Sequence, residues 1–159
     1  MLTQEAVLQA LQDVQDPEIP VISVVELGVI RAVRIEGDHV SVDMTPTFAG
    51  CPALAVMQAE VENRLRQLGA AAVQVRLVLS PPWSTDWITP AARDKLRAFG
   101  LAPAPPHAGL IQIMFAGEAI CPYCGSTQTT LKNSFGPTLC RALYYCDHCQ
   151  QPFEQFKAL

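Results

Sequence analysis

The amino-terminal part of the chain alternates between helix-like and strand-like hydrophobic patterns. Thr3 to Val14 places its apolar residues on one face of a helix, which the prolines of residues 16–20 must end. Val29 to Ile35 and Val40 to Met44 alternate apolar with polar residues, so each predicts a strand with one buried face. Residues 36–39 between them have the composition of a hairpin turn.

A second helix and a third strand continue the pattern. Pro52 to Leu68 predicts a helix with proline in its first turn and Gly69 at its carboxyl-terminal stop. Val73 to Leu79 predicts a strand, and Thr89 to Gly100 predicts a short helix. A hairpin followed by a crossover helix predicts an α+β domain of two layers, in which a small mixed sheet carries its helices on one face.

The composition changes after this helix. Residues 101–109 contain three prolines and no charge, which is typical of a semi-rigid spacer. We therefore predict a first domain over residues 1–100, a linker over 101–109 and a second domain over 110–159. In the second domain, Ile111 to Phe115 and the segment at Tyr144 and Tyr145 predict strands.

The second domain carries the most specific chemical signal in the chain. Two Cys-x-x-Cys pairs lie about twenty residues apart, and paired thiolates at this spacing can close a tetrahedral site around one metal ion. Gly125 follows the first pair, as a tight turn needs. The pattern predicts a β zinc ribbon with structural zinc, whose ligands are Cys121, Cys124, Cys146 and Cys149.

Composition and charge exclude several other classes. The net charge of −4 and the pI of about 5.3 argue against binding of nucleic acid through phosphate contacts. No apolar run is long enough to span a membrane, and the first residues do not resemble a secretory signal. Cysteines clustered at metal spacing differ from a secreted disulfide scaffold, so we expect a reducing cytoplasm.

Cys51 is the first candidate for reactive chemistry. It lies in an uncharged loop that includes Thr47 and Gly50, directly before the predicted second helix. A helix amino terminus favours a thiolate over a thiol, which would suit a soft metal ligand, a cluster ligand or a nucleophile. Free cysteine is also often a small buried residue. The residues alone support both interpretations equally.

Asp16 and Glu18 form a second candidate, because two carboxylates flank the rigid Pro17. They could cap a helix, hold an arginine or lie beside Cys51. On spacing alone, a turn with solvated charges is favoured over a site.

These segments also carry a resemblance to known families. Asp16-Pro17-Glu18, Glu26-Leu27-Gly28 and the Thr45-Pro46-Thr47 loop with Gly50-Cys51-Pro52 resemble the SufT-like iron–sulfur assembly family over about residues 1 to 80. The segment from Ser80 to Ile88, the proline spacer and the cysteine-rich end are similar to the D subunits of phenylacetyl-CoA epoxidases, and that likeness covers essentially the whole chain.

The resemblance implies an iron–sulfur assembly-like domain followed by the ribbon, and an accessory, non-catalytic role in phenylacetate degradation. The role would be to mature or deliver iron–sulfur or other metal centres, with the oxygenase and reductase components as partners. The family's reactive cysteine falls on Cys51 and its acidic turn on Asp16 and Glu18, while Thr47 lies in the matching loop. Transient iron or a cluster is then the expected cargo, and a homodimer is possible.

Other interpretations stay open. The protein could instead be a structural or docking component of the oxygenase without a cluster of its own. A nucleic-acid-binding ribbon and a dithiol oxidoreductase rank lower. Cys140 is spare once four ligands are assigned, and simple burial is favoured for it. As an extra thiol it could instead pair with Cys51 as a transfer site or replace one ligand under oxidation. Trp83 and Trp87 either anchor a partner or pack onto the sheet.

Overall fold

A computed structural model describes residues 2–104 and 119–157 of the chain. The chain divides into two compact units, with the division between Trp83 and Ser84. The predicted strand at residues 111–115 lies outside the described residues. Among the helices of residues 2–104 and 119–157, none is long and apolar enough to cross a membrane.

The first unit contains two helices and three strands in the predicted order. Their bounds are α1 Gln4–Leu11, β1 Ile30–Glu36, β2 His39–Met44, α2 Leu54–Gln67 and β3 Ala72–Leu77. The second helix starts later than predicted, because Pro52 and Ala53 form a turn before it.

The three strands form one mixed sheet in the order β1-β2-β3. The hairpin strands β1 and β2 are antiparallel, and β3 pairs with β2 in parallel after the α2 crossover. This is the small mixed sheet that the sequence predicts for a two-layer domain. Val42 lies opposite Val33 on one side and Val75 on the other, so one face of the sheet is continuously apolar.

The core of the first unit lies between this apolar face and the two helices. Val7 and Leu11 of α1 are buried four residues apart, as one helical face requires. The same spacing recurs in α2, where Met57, Val61 and Leu65 are buried. The α+β class is confirmed by this arrangement.

The second unit is a four-stranded sheet preceded by helical segments. Its elements are a 3-10 helix Thr85–Trp87, α3 Pro90–Phe99, β4 Leu101–Ala102, β5 Thr129–Asn133, β6 Arg141–Cys146 and β7 Pro152–Phe156, with the sheet order β4-β7-β6-β5. The strand predicted at Tyr144 and Tyr145 is β6. Strands β5 and β7 were not predicted, because Gln, Lys, Asn and Glu interrupt their apolar pattern.

The start of the predicted linker belongs to this second sheet. Leu101 and Ala102 are buried and pair in parallel with Glu154 and Gln155 of β7. The division between the compact units therefore differs from the predicted boundary at residue 100: α3 and β4 lie with the ribbon. The physical reason is that two apolar residues after α3 complete a sheet edge. Residues 105–109 of the predicted linker lie outside the described residues.

Trp83 belongs to the interior of the first unit. Its side chain is 4% exposed, and its indole Nε1–H donates a 2.9 Å hydrogen bond to the Leu27 carbonyl. The hypothesis that Trp83 anchors a partner surface is therefore wrong. Trp87, in the 3-10 helix of the second unit, is half-buried.

Candidate metal centre and the Cys51 loop

The four predicted ligand cysteines converge on one point of the second unit. The Sγ atoms of Cys121 and Cys149 are 3.7 Å apart, and those of Cys124 and Cys146 are 3.6 Å apart. All four sulfur atoms lie within 4.8 Å of one another. Thiolates about 2.3 Å from a tetrahedral zinc ion are separated by about 3.8 Å, so the observed sulfur positions fit one ion of this size.

Two similar turns hold the sulfur atoms in place. The N–H of Gly125 donates to the carbonyl of Cys121 at 2.9 Å, and Gly125 has a φ of 74°. In the second turn, the N–H of Gln150 donates to the carbonyl of Cys146 at 2.9 Å, with a φ of 59° at Gln150. The second turn therefore holds an ordinary residue in the left-handed region, at a cost of about 1–2 kcal/mol.

The protonation of the thiols is uneven. The backbone N–H of Cys149, 3.5 Å from the Cys146 sulfur, lowers the pKa of Cys146 to about 7. Burial raises the pKa of Cys149 to about 12. Cys146 therefore ionises more readily than Cys149, and a metal ion that binds the Cys149 sulfur must displace its proton.

A small apolar cluster supports the cysteines from the sheet. Tyr144 stacks on Phe153 with the ring centroids 5.7 Å apart. The cluster also contains two of the ligand sulfurs, Cys121 and Cys146, and both residues are buried. The metal group and the ribbon core are therefore one structure, and each depends on the other.

Cys140 is outside the four-sulfur group. Its side chain is buried just before β6, and its sulfur lies 3.1 Å from the Thr138 hydroxyl. The structure agrees with burial of Cys140, and its role as an extra thiol stays a prediction.

The loop between β2 and α2 carries Cys51 and Thr47, both half-buried. The N–H of Cys51 donates to the Phe48 carbonyl at 3.0 Å, and the Cys51 carbonyl accepts from the N–H of Leu54 at 3.2 Å. These bonds fix the backbone on both sides of the sulfur. From Met44 to Ala59 the chain carries no charged residue, so the surroundings of Cys51 in sequence are uncharged.

Sequence reasoning did not single out Thr45 at the start of this loop. Its backbone N–H donates to the Val29 carbonyl at 2.9 Å, but its buried hydroxyl has no hydrogen-bond partner within the described part of the chain. The residue was part of the family motif, yet only the fold reveals that its hydroxyl is buried.

Asp16 is buried within its own turn and is not a solvated charge. One carboxylate oxygen, Oδ1, accepts the backbone N–H groups of Glu18 at 2.7 Å and of Ile19 at 2.9 Å. Glu18 is half-buried beside it. Asp16 therefore holds the turn in shape, and whether the pair also acts at Cys51 stays a prediction.

The neighbouring turn contains a reciprocal cap that sequence reasoning missed. Ser23 Oγ accepts the N–H of Glu26 at 3.1 Å, and Glu26 Oε2 accepts the N–H of Ser23 at 3.0 Å. The sequence signal was present, because Ser-x-x-Glu is the pattern of a capping box.

Comparisons with known proteins match both units. Residues 4–77 match the family model described as iron-sulfur cluster assembly protein, and residues 113–157 match the PaaD zinc beta ribbon domain. The D subunit of 1,2-phenylacetyl-CoA epoxidase from Escherichia coli (strain K12) is 41% identical over 139 residues, covering 87% of this chain and 83% of its own. The chain belongs to the family of phenylacetyl-CoA epoxidase D subunits. The resemblance seen in the sequence is confirmed.

Solved structures match part of the chain in fold. A domain of unknown function DUF59 from Bacillus anthracis has a TM-score of 0.55 at 26% identity, covering 58% of this chain and 90% of that one. A conserved hypothetical protein from Thermotoga maritima has a TM-score of 0.53 at 33% identity, covering 60% and 94%. Together with the match to the assembly family, these two structures confirm an iron–sulfur assembly-like fold for the first part of the chain. A ribbon with a group of four cysteines that could hold a metal ion follows it in the sequence.

Proposed function

We propose that this member of the D-subunit family is an accessory protein of the phenylacetyl-CoA epoxidase system. Its role is to mature or deliver iron–sulfur or other metal centres for the oxygenase or its reductase, without performing the epoxidation. The observation that carries the proposal is the joining, in one chain, of an assembly-type first unit to a ribbon of the D-subunit type.

We assign the transfer step to Cys51. Cys51 is a half-buried loop residue, and hydrogen bonds hold its backbone on both sides. Its thiolate can therefore bind iron or a cluster from a defined position. The carboxylates of Asp16 and Glu18 and the hydroxyl of Thr47 are the proposed oxygen ligands or positioning groups. The cargo, transient iron or an iron–sulfur cluster, is the substrate of this step.

We assign structural zinc to the ribbon. Cys121, Cys124, Cys146 and Cys149 would supply four thiolates, and the sulfur spacing fits a tetrahedral site. Zinc there would supply folding energy to a sheet with a small core of its own. Metal content after anaerobic purification tests this, with one zinc per chain expected. Stoichiometric iron with thiolate absorption bands would contradict it.

The proposed partners are the oxygenase and reductase components, and the proposed compartment is the cytoplasm. The six cysteines are free thiols in the structure, which suits a reducing environment.

The test of delivery is a Cys51→Ser substitution in cells that depend on this protein for growth on phenylacetate. We expect epoxidase activity to fall by about tenfold or more, because the soft ligand is lost, and the purified oxygenase and reductase to contain less iron and sulfide. Ala49→Ser is the matched control: it adds the same hydroxyl to the same loop and should keep activity within about twofold.

Full activity of the Cys51→Ser cells, with fully loaded metal centres, would reject the delivery role. A structural or docking component is then the second candidate. The observation in its favour is the set of large apolar side chains exposed on the described part of the second unit: Phe99, Ile120, Tyr123, Phe135 and Leu139. Co-purification in fixed ratio with the other epoxidase components, unchanged by Cys51→Ser, would support that role.

A further inference from the structure

The outer face of the first sheet, opposite the helices, is polar and carries a charged cluster. Asp43 of β2 lies beside Arg76 of β3 in register, and Arg34 of β1 lies two positions along on the same face. The Asp43 side chain is 9% exposed, whereas Arg34 and Arg76 are 51% and 47% exposed. A nearly buried carboxylate is thus covered by two accessible guanidinium groups.

The carboxylate holds each arginine through a different oxygen. Arg34 Nη2 is 2.8 Å from Asp43 Oδ2, while Arg76 Nε and Nη2 are each 2.8 Å from Oδ1. Two positive charges share one negative charge, so the cluster keeps an excess of one positive charge. Arg34 engages one of its nitrogens and Arg76 two, which leaves N–H donors on both guanidiniums for a ligand.

A cavity of about 370 Å³ opens beside this cluster on the same polar face. Ser41 and Gln74 lie in register with Arg34 and supply a hydroxyl and an amide to its lining. Its volume is in the range of small-molecule sites, about 300–1,000 Å³. Glu36 and His39 line the cavity as well. The lining therefore carries one carboxylate, from Glu36, and two guanidinium groups, from Arg34 and Arg76.

We propose that this cavity binds a small organic anion whose carboxylate or phosphate group is held by Arg34 and Arg76. Planar guanidinium groups match the geometry of both oxyanions, and Asp43 fixes the two groups before the ligand arrives. Ser41 and Gln74 would hydrogen-bond the uncharged part of the ligand. The site is independent of Cys51 and of the delivery role proposed above.

The test is a titration of the full chain with inorganic phosphate and, separately, with succinate, followed by amide NMR at constant ionic strength with sodium chloride as the reference. We expect saturable shifts that converge on Arg34, Ser41, Gln74 and Arg76. Saturation by phosphate supports a phosphate-bearing ligand, and saturation by succinate supports a carboxylate.

Gln74→Glu is the variant that separates binding from folding. It places a negative charge in the cavity wall, so the affinity for anions should fall by about tenfold. Residue 74 is exposed on an edge strand, so the melting temperature should stay unchanged. Gln67→Glu is the matched control, because it makes the same charge change on an exposed helix residue outside the cavity lining. Its affinity should stay within about twofold.

Three results would overturn the proposal. One is chloride producing the same shifts as the two anions. Another is equal weakening by Gln67→Glu and Gln74→Glu, which would indicate a general charge effect. The third is the absence of saturable shifts at Arg34, Ser41, Gln74 and Arg76 with both phosphate and succinate, which would show that the cavity binds neither kind of anion.

Discussion

At the scale of single residues, the turn after α1 depends on one carboxylate oxygen. Asp16 Oδ1 accepts the backbone N–H groups of Glu18 at 2.7 Å and of Ile19 at 2.9 Å, and the Ile19 N–H also lies 3.3 Å from the Asp16 carbonyl. The resemblance presents Asp16 as part of an acidic site, and the structure gives the same side chain a local role in the fold. A loss of function on its removal therefore has two possible causes, which the choice of substitution can separate.

Replacing Asp16 with alanine should lower the free energy of unfolding by about 1–2 kcal/mol, because the Glu18 N–H loses its side-chain acceptor and the Ile19 N–H keeps only its 3.3 Å bond to the backbone carbonyl of residue 16. Asp16→Asn keeps an oxygen at the same position and should lose less than half as much. Urea denaturation measures both. If delivery then fails in Asp16→Asn but its stability is kept, the negative charge matters for function. Equal destabilisation by the two variants would contradict the assigned hydrogen bonds.

Asp43 should make stability depend on pH. The hydrogen bond from Arg34 is the main cause that lowers the pKa of Asp43, with Arg76 assisting against the opposing effect of burial. A carboxyl whose pKa is lower in the folded state stabilises the fold above its unfolded pKa of about 3.9, and the contribution disappears as the pH falls through the folded pKa.

Asp43→Asn should therefore cost about 1–2 kcal/mol at pH 7 and progressively less below about pH 4. Chemical denaturation of the parent and the variant across this range measures the difference. Asp94→Asn is the control, because its pair with Arg97 lies on an exposed helix surface. If the difference in the free energy of unfolding between the parent and Asp43→Asn stays constant with pH, the ion-pair assignment is contradicted.

At the scale of elements, α3 and β4 act as an extension of the ribbon. Gly100 ends α3 with a φ of 91°, and the following two residues enter the sheet beside β7. Arg93 of α3 strengthens the connection, donating to the carbonyls of Ala104 at 2.9 Å and Thr85 at 2.7 Å. The left-handed glycine sets the direction in which the chain leaves the helix.

Gly100→Ala should destabilise the second unit by about 1–2 kcal/mol, since an L-residue is strained at this φ. Its Cβ would also approach the Tyr123 hydroxyl to 2.9 Å, so the Tyr123 ring should move. Gly69→Ala has a similar positive φ with open space around it, and provides the control in the first unit. Thermal melts and the Tyr123 ring resonances measure the two effects. An unshifted Tyr123 ring would contradict the packing of α3 against the cysteine turn.

At the scale of the whole molecule, the two units have separate sources of stability. The first buries apolar faces of two helices on a sheet. The second combines a short apolar cluster with the four-sulfur group. Metal binding and folding should therefore be linked in the second unit alone.

Chelation of the metal should unfold residues 119–157 while the first unit keeps its structure. Amide NMR before and after a high-affinity chelator measures this, with dispersed signals of residues 4–77 as the internal control. Cys121→Ser should mimic the chelator, and Cys140→Ser should not. Acid should assist metal loss, because protons compete for the thiolates. A ribbon spectrum untouched by the chelator would contradict the metal's role.

Much of the first unit was predictable because its signals are local. Neighbouring residues in the sequence set the alternation of apolar and polar side chains in β1 and β2. They also set the four-residue spacing of buried side chains in α2 and the helix end at Gly69. The pairing of β5 with β6 was not predictable, since the apolar side chains of β5 are few and its stability comes from contacts across the sheet.

By itself, the sequence determined which four cysteines could share an ion, because two tight turns need only local spacing to form. It also determined the order of elements around the first sheet. Only the tertiary structure decided that Asp16 and the hydroxyl of Thr45 are buried. It also decided that Leu101 pairs within the second sheet and that two arginines form ion pairs with Asp43. Each of these depends on residues distant in sequence, and burial and cross-strand pairing exist only once the chain has folded.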